Sequence, residues 1–576
     1  MSIGIVVLTA ACGKKDAQAP QNGNTDTPQV RETAVAVAVP KESMTAAAET
    51  EAPPETQAPV PAVDLPETPY PVHLIIDTVR ESTEGVGVQY NKISLEPADE
   101  KRYPGLAAAL KDYSDRQEEG GTETFTQVSE VYTEDQKSRP EFFAGGGVSY
   151  NDETSVAVLR ADAQVVSIYH DYWSYTGGAH GMYGYWGINY DTATGKRLLL
   201  TDVITDREQF FRVLKEHIDA YYTYLDEEIT VYDEYVRDLD LKDPDALAWS
   251  IDNEGVTVYF NPYELGSYAL GAIVASVYFD ENPELFVEKY ANVPDSYVIP
   301  ELPNRPLLID ADGNGKREEL TIEYKGNGEY EAMEWVIHHG NRSVTLSDWC
   351  YSEKSYIIKA NGQYYLYTFE VSDNDYSLLA VTDLRHMTYE SEKTENGALS
   401  RISSDWKETE NSSVNHAVKA AFADPGRFSM EHHIDILGTY GGEKTWSVGG
   451  DGYPETADSF YRVHSGRVLR TRQPVKCCTV DENGKKLADE TIGADEYIFM
   501  IRTDGESWAD FQIVDKAAVE TFGEDDYRSY YSESVKEDPG KPVYRIEIRR
   551  SDNESWTREI NGTDEGEVLD GIVYAG

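Results

Sequence analysis

The run Tyr175-Thr176-Gly177-Gly178-Ala179-His180-Gly181 constrains this chain most, because a glycine-dense loop between aromatic, alternating segments has few folded solutions. It reads as a loop feeding a hairpin. Gly177, Gly178 and Gly181 permit positive φ or close backbone approach, 186–190 alternates as a strand, and Thr194-Gly195 supplies the turn before Leu198, Leu199 and Leu200. A helix is expected next, with Phe210, Leu214, Ile218, Tyr221 and Leu225 at helical spacing and Thr205 or Asp206 placed to cap its start.

At 576 residues the chain exceeds a single core and implies several domains. Segments 72–79 and 87–95 read as strands and 103–113 as a helix presenting Leu106, Leu110 and Tyr113, which makes 67–125 a small α+β domain. Segments 128–132, 142–150, 156–162 and 165–173 read as successive antiparallel strands, so 126–300 is expected to be a sheet carrying one long helix. Prolines between 292 and 306 mark a boundary. Beyond it, 301–456 is β-rich with a hairpin turn at Asn361-Gly362. The short strands of 457–576, with turns at Glu482-Asn483-Gly484 and Asp504-Gly505, suggest a small SH3-like barrel. The fold class expected is α+β, with mostly β C-terminal regions.

Near the N-terminus, the apolar run of residues 3–8 ends in Thr9-Ala10-Ala11-Cys12. Residues 1–12 read as a lipoprotein signal, with Cys12 as the lipidation site and a lipid anchor as the membrane attachment. Residues 13–66, rich in Ala, Pro, Thr, Glu and Gln, lack the large apolar side chains that would order them and read as a tether carrying the folded part outside the membrane. Cys350, Cys477 and Cys478 are too few for a disulfide framework. A net charge of −53 excludes nucleic acid as a partner, since no counterion-release energy is available to a surface that repels phosphate. Basic partners are favoured instead.

A second motif, Asp310-Ala311-Asp312-Gly313-Asn314-Gly315-Lys316-Arg317-Glu318, places oxygen ligands at alternate positions with glycine at the sharp turns. Such spacing suits Ca²⁺ held by Asp310, Asp312, Asn314, the Lys316 carbonyl and Glu318. The same residues also suit a hairpin turn whose polar side chains satisfy its own backbone. No nucleophile elbow, His-Glu-x-x-His pattern or phosphate loop occurs, and the chain reads as non-enzymatic. Two segments remain as candidate ligand contacts. Tyr175, Gly177, Gly178 and His180 form an aromatic-flanked loop, and Asn261, Pro262, Tyr263 and Glu264 form a second loop in which proline fixes φ.

These two segments, in this order and with the strand at 256–260 and Tyr268-Ala269-Leu270-Gly271 following, resemble an extracytoplasmic domain family found in the anti-sigma factor RsiV and ahead of the catalytic domain of the peptidoglycan deacetylase PdaC. The resemblance covers roughly 67–300. It implies a ligand-binding role outside the membrane, with a basic lysozyme-like protein as partner, since the RsiV domain senses lysozyme. Peptidoglycan glycans are the alternative ligand, and a calcium-rigidified adhesin or spacer is a third reading. Deacetylase activity is not implied, because this chain has the Asp310 region in place of that catalytic domain.

Overall fold

The computed structural model describes residues 70–574 except 224–228, 230, 303–304, 327–331, 347–351, 372–376, 393–398, 402–403, 409–413, 465, 523–528, 533–536 and 551–557. Cys12, the tether and Cys350 lie outside the described residues.

Strands β1 (Leu74–Thr83) and β2 (Val86–Leu95) form an antiparallel hairpin. The chain then crosses over through the helix Pro104–Ser138 and enters β3 (Tyr150–Ala161), which runs parallel to β2 with Val86 opposite Tyr150. A parallel pair needs such a crossover. The expected face of Leu106, Leu110 and Tyr113 is buried against Leu74, Ile93, Val158, Ile168 and Ile188. Close seating is visible at Gly121, where a Cβ would fall 2.1 Å from the Tyr90 ring. The helix continues far past 113, so the strand expected at 128–132 is helical and the boundary expected at 125/126 falls inside the helix. Phe125, Val128 and Tyr132 recur at three and four residues, and this helical stripe packs on Val86 and Tyr150. The segment expected as a strand at 142–150 is helical at Pro140–Phe143 and becomes a strand only at Tyr150.

From β3 the sheet continues antiparallel through β4 (Val165–Tyr175) and β5 (Met182–Asp191). The helix Arg207–Tyr221 follows, capped by Asp206, whose carboxylate accepts from the Gln209 amide at 3.0 Å. It buries Phe210, Phe211, Leu214 and Ile218 against a three-stranded sheet of β6 (Ala248–Ile251), β7 (Gly255–Phe260) and β8 (Ile273–Tyr278). The two sheets meet through Leu159, Tyr169 and Tyr185 on one and Tyr259 and Val274 on the other.

The C-terminal half is mostly β. Tyr297–Pro300 pairs with Ser352–Ala360 in a five-stranded sheet, so strand pairing crosses the boundary expected at 300/301. Thr439–Val448 pairs with Tyr461–Val463 and likewise crosses 456/457. The Asn361-Gly362 turn is present, with φ of 54° and 72°. No barrel closes among the described residues; the strands expected to form one join a single extended, branched sheet. Most unexpected is Val414–Ala420, which returns to pair antiparallel with β1, Ile75 opposite Ala420, and with Ser404–Glu408 paired on its far side brings the first sheet to seven strands among the described residues.

Candidate functional site

The tip of the β4–β5 hairpin is held from both sides by aromatic rings. Gly177 sits at φ 88°, and a Cβ there would lie 2.6 Å from the Tyr150 hydroxyl, so the loop closes over Tyr150 only with glycine. The Tyr175 hydroxyl donates to the Gly178 carbonyl at 3.3 Å, and the Tyr175 ring lies edge-on to Tyr150 at 6.3 Å and stacks beside Trp173 at 6.4 Å. Exposed His180 donates from Nδ1 to the Gly181 carbonyl at 2.9 Å.

The second segment is clamped onto this hairpin. The Asn261 side-chain oxygen accepts from the Tyr185 amide at 2.7 Å and its nitrogen donates to the Tyr185 carbonyl at 3.0 Å, the pairing a strand neighbour would make. The Glu264 carboxylate accepts from the Asn261 amide at 2.9 Å, and the Glu264 amide donates to the Asn261 carbonyl at 3.0 Å. Between them Pro262 is buried. Tyr263 is held at φ 76° with 58 % of its surface exposed. A bulky residue at positive φ is a backbone outlier, and here the surrounding hydrogen bonds impose it.

Tyr268 joins the two segments. Its hydroxyl donates to the Gly181 carbonyl at 2.8 Å, its ring stacks on His180 at 4.0 Å, and Tyr263 and Tyr183 lie 5.7 and 5.9 Å away. All eight expected contact residues therefore gather around the hairpin tip. Sequence reasoning did not single out Tyr268 as a contact, although it lies five residues after Tyr263 in the same motif.

On the opposite flank the aromatic surface continues. Phe142 packs edge-on to Phe143 at 5.3 Å, Phe143 lies 6.3 Å from Tyr150, and the Arg139 guanidinium covers Phe142 at 5.3 Å. Tyr150 donates to Asp135 at 2.6 Å, and this bond, followed by the Arg139 partner, holds the Asp135 carboxyl below its ordinary pKa. Trp173 and Phe142 are 42 % and 40 % exposed. With Tyr263 they are exposed aromatics around this hairpin tip.

The Asp310 motif forms the turn between Leu307–Ile309 and Glu318–Gly326. Asp310 accepts from the Asn314 and Gly315 amides at 2.9 Å each, Asp312 from the Asn314 amide at 3.2 Å, and Asn314 from the Lys316 amide at 2.8 Å. Asp312 also lies 3.6 Å from Arg342, and Glu318 rests against Gly340 in the neighbouring turn. These side chains thus close the turn on its own backbone. Among the described residues no three or more His, Cys, Asp or Glu side chains are gathered as a metal site needs.

The helix Arg207–Tyr221, the three-stranded sheet beneath it and the loop that presents Tyr263 and Tyr268 coincide with one family match, to a protein family of unknown function. Residues 201–280 carry a DUF3298 domain. Two crystal structures of DUF3298 family members are similar to this chain. The protein from Bacteroides fragilis shares 19% identity, covering 38% of this chain and 94% of that one, with a TM-score of 0.28. The protein from Pseudomonas aeruginosa shares 16% identity, covering 38% and 95%, with a TM-score of 0.24. No curated protein matches the chain. The aromatic surface is therefore composite. The DUF3298 domain supplies Tyr263 and Tyr268, whereas His180, Trp173 and Tyr175 come from the sheet preceding it.

The far end of the DUF3298 domain is anchored to the β-rich half of the chain. Its turn residue Glu254 pairs with Arg317 at 2.7 Å and accepts from Tyr364 at 2.7 Å, and Arg317 lies 2.7 Å from Asp280 and 4.0 Å over the Tyr278 ring. Neighbouring Asp252 pairs with buried Arg305. Arg317, which has no expected role in the Asp310 motif, is thus a half-buried clasp between the two.

Proposed function

We propose that this chain is a non-enzymatic, lipid-anchored extracytoplasmic protein whose aromatic surface around Tyr263 and His180 seats a basic protein of the lysozyme kind. Tyr263 carries the reading. A loop that served only as a connection would place glycine or asparagine at φ 76°, yet here a tyrosine is held there with its ring in solvent. Rigid aromatics exposed at small entropic cost are what protein-binding surfaces use. The net charge of −53 favours a basic partner and would accelerate its approach. Further support is the resemblance to the extracytoplasmic part of RsiV, whose domain senses lysozyme. The anchor and location rest on the Cys12 signal and the tether.

Calorimetric titration of the full chain with lysozyme at low and high salt tests this. Binding is expected to weaken with salt and with Tyr263→Ala; no binding at low salt rejects the reading. The exposed rings of Tyr263, Trp173 and Phe142 favour a second reading, a peptidoglycan glycan stacked on aromatics. Soluble peptidoglycan fragments would then bind with little salt dependence.

A further inference from the structure

Asp171 stands on the face of the first sheet that packs in part against the second. By register it lies between Ser155 on β3 and Tyr185 on β5, and Tyr169 and Trp173 share its face of β4. Exposure rises steeply along this face: Tyr169 is 2 % exposed, Asp171 is half-buried and Trp173 is 42 % exposed. Asp171 therefore sits at the margin where the second sheet, through Tyr259, stops covering the first.

Its carboxylate makes no hydrogen bond and no ion pair with any described residue. The contrast is local. Glu153, one row nearer the tip, is paired with Arg80 at 3.1 Å, and Asp152 on the opposite face accepts from Tyr172 at 2.7 Å. A carboxylate partly withdrawn from water without a counter-charge is unfavourable, and a cation brought to it recovers that cost. Aromatic rings on two sides give such a cation a further favourable contact.

We propose that Asp171, flanked by Tyr169 and Tyr185 and rimmed by Trp173, is a seat for one cationic side chain, a lysine or arginine, of a basic protein partner. The inference rests on the basic-partner reading above and names the contact group. Burial alone pushes the Asp171 carboxyl up to about 6, as an unpaired, partly dry acid requires. Tyr183, which packs on both Tyr185 and Tyr268, connects this seat to the hairpin tip.

The test uses the full chain labelled with fluorotryptophan at its nine tryptophans, Trp173→Phe assigning the signal. Titration with a trilysine peptide near neutral pH is expected to shift the Trp173 fluorine resonance saturably. Asp171→Asn should weaken that titration by about tenfold or more, the weight of a charge-assisted contact. Exposed Glu482→Gln, which removes the same charge elsewhere, should leave it unchanged. An unmoved Trp173 resonance, or equal losses in Asp171→Asn and Glu482→Gln, would overturn the seat, the latter by reducing it to diffuse attraction. Trilysine binding through Asp171 in a chain that ignores lysozyme would support the seat while removing lysozyme as the partner.

Discussion

Tyr268 lies flat against His180, their ring centroids 4.0 Å apart and their planes within 22°, while its hydroxyl donates to the carbonyl of Gly181. One side chain thus fastens the DUF3298 loop to the hairpin of the preceding sheet. Tyr268→Phe keeps the stack and loses the hydrogen bond, and should cost about 1 kcal/mol of stability with binding largely retained. Tyr268→Ala should loosen the hairpin tip from the DUF3298 loop and weaken the proposed binding of lysozyme. Denaturant melts and calorimetry on the two variants separate these effects.

Tyr263 gives a prediction of opposite sign for stability and binding. Replacing it with glycine relieves the positive φ, worth about 1 kcal/mol, and removes the exposed ring. The melting temperature of Tyr263→Gly should rise or hold while ligand affinity falls. A marked loss of stability would make the ring a structural plug instead.

Asp171 should behave alike, with a pH signature. Its folded pKa of about 6 lies above the ordinary carboxylate value, so the folded state binds the extra proton and the ionised form is a penalty. The penalty is full at neutral pH and disappears as pH falls through about 6 toward 4. Asp171→Asn should therefore raise stability near neutrality, and the gain should vanish in acid. Urea midpoints across that range test it.

His73 makes the converse case at the other end of the sheet. Its ring reaches Asp424 at 3.2 Å and Asp99 at 3.0 Å, and Arg427 beside it pairs with Glu96 at 2.9 Å. The Asp424 bond, then the Asp99 bond, raise its pKa against burial and the Arg427 charge. A raised folded pKa means that the stabilisation is complete below the ordinary histidine value and is lost as pH rises through the folded one. Hydrogen exchange in Val414–Ala420 should accelerate beyond its intrinsic dependence over that window, and His73→Gln should flatten the response.

Asp310 closes its turn through two amide bonds. Asp310→Ala should lower stability by about 1–2 kcal/mol, equally with calcium or chelator. A melting temperature that rises with calcium in the parent chain and not in Asp310→Ala would instead assign Asp310 as a ligand.

Short-range features were legible in the residue order. The capped helix Arg207–Tyr221, the Asn361-Gly362 turn and the loop at Gly177 each depend on neighbours within a turn or two, where propensity and periodicity act directly. The same reasoning misread 128–132, because a brief apolar pattern suits either period and only packing on Tyr150 and Val86 selects the helix. Of the site, the sequence yielded both loops, since glycine and proline declare themselves. It could not yield their meeting through Tyr268, nor the isolation of Asp171, whose significance lies in partners it does not have.

What the sequence alone determined is the inventory: which segments turn, which helix is amphipathic, and a net charge of −53. Tertiary structure decided the parallel pairing of β2 with β3, the return of Val414–Ala420 to β1, the Arg317–Glu254 clasp and the aromatic surface. The reason is physical. Strand register and ring contacts between distant segments are set by which faces bury one another, and local periodicity reports that a face exists without naming the one it meets.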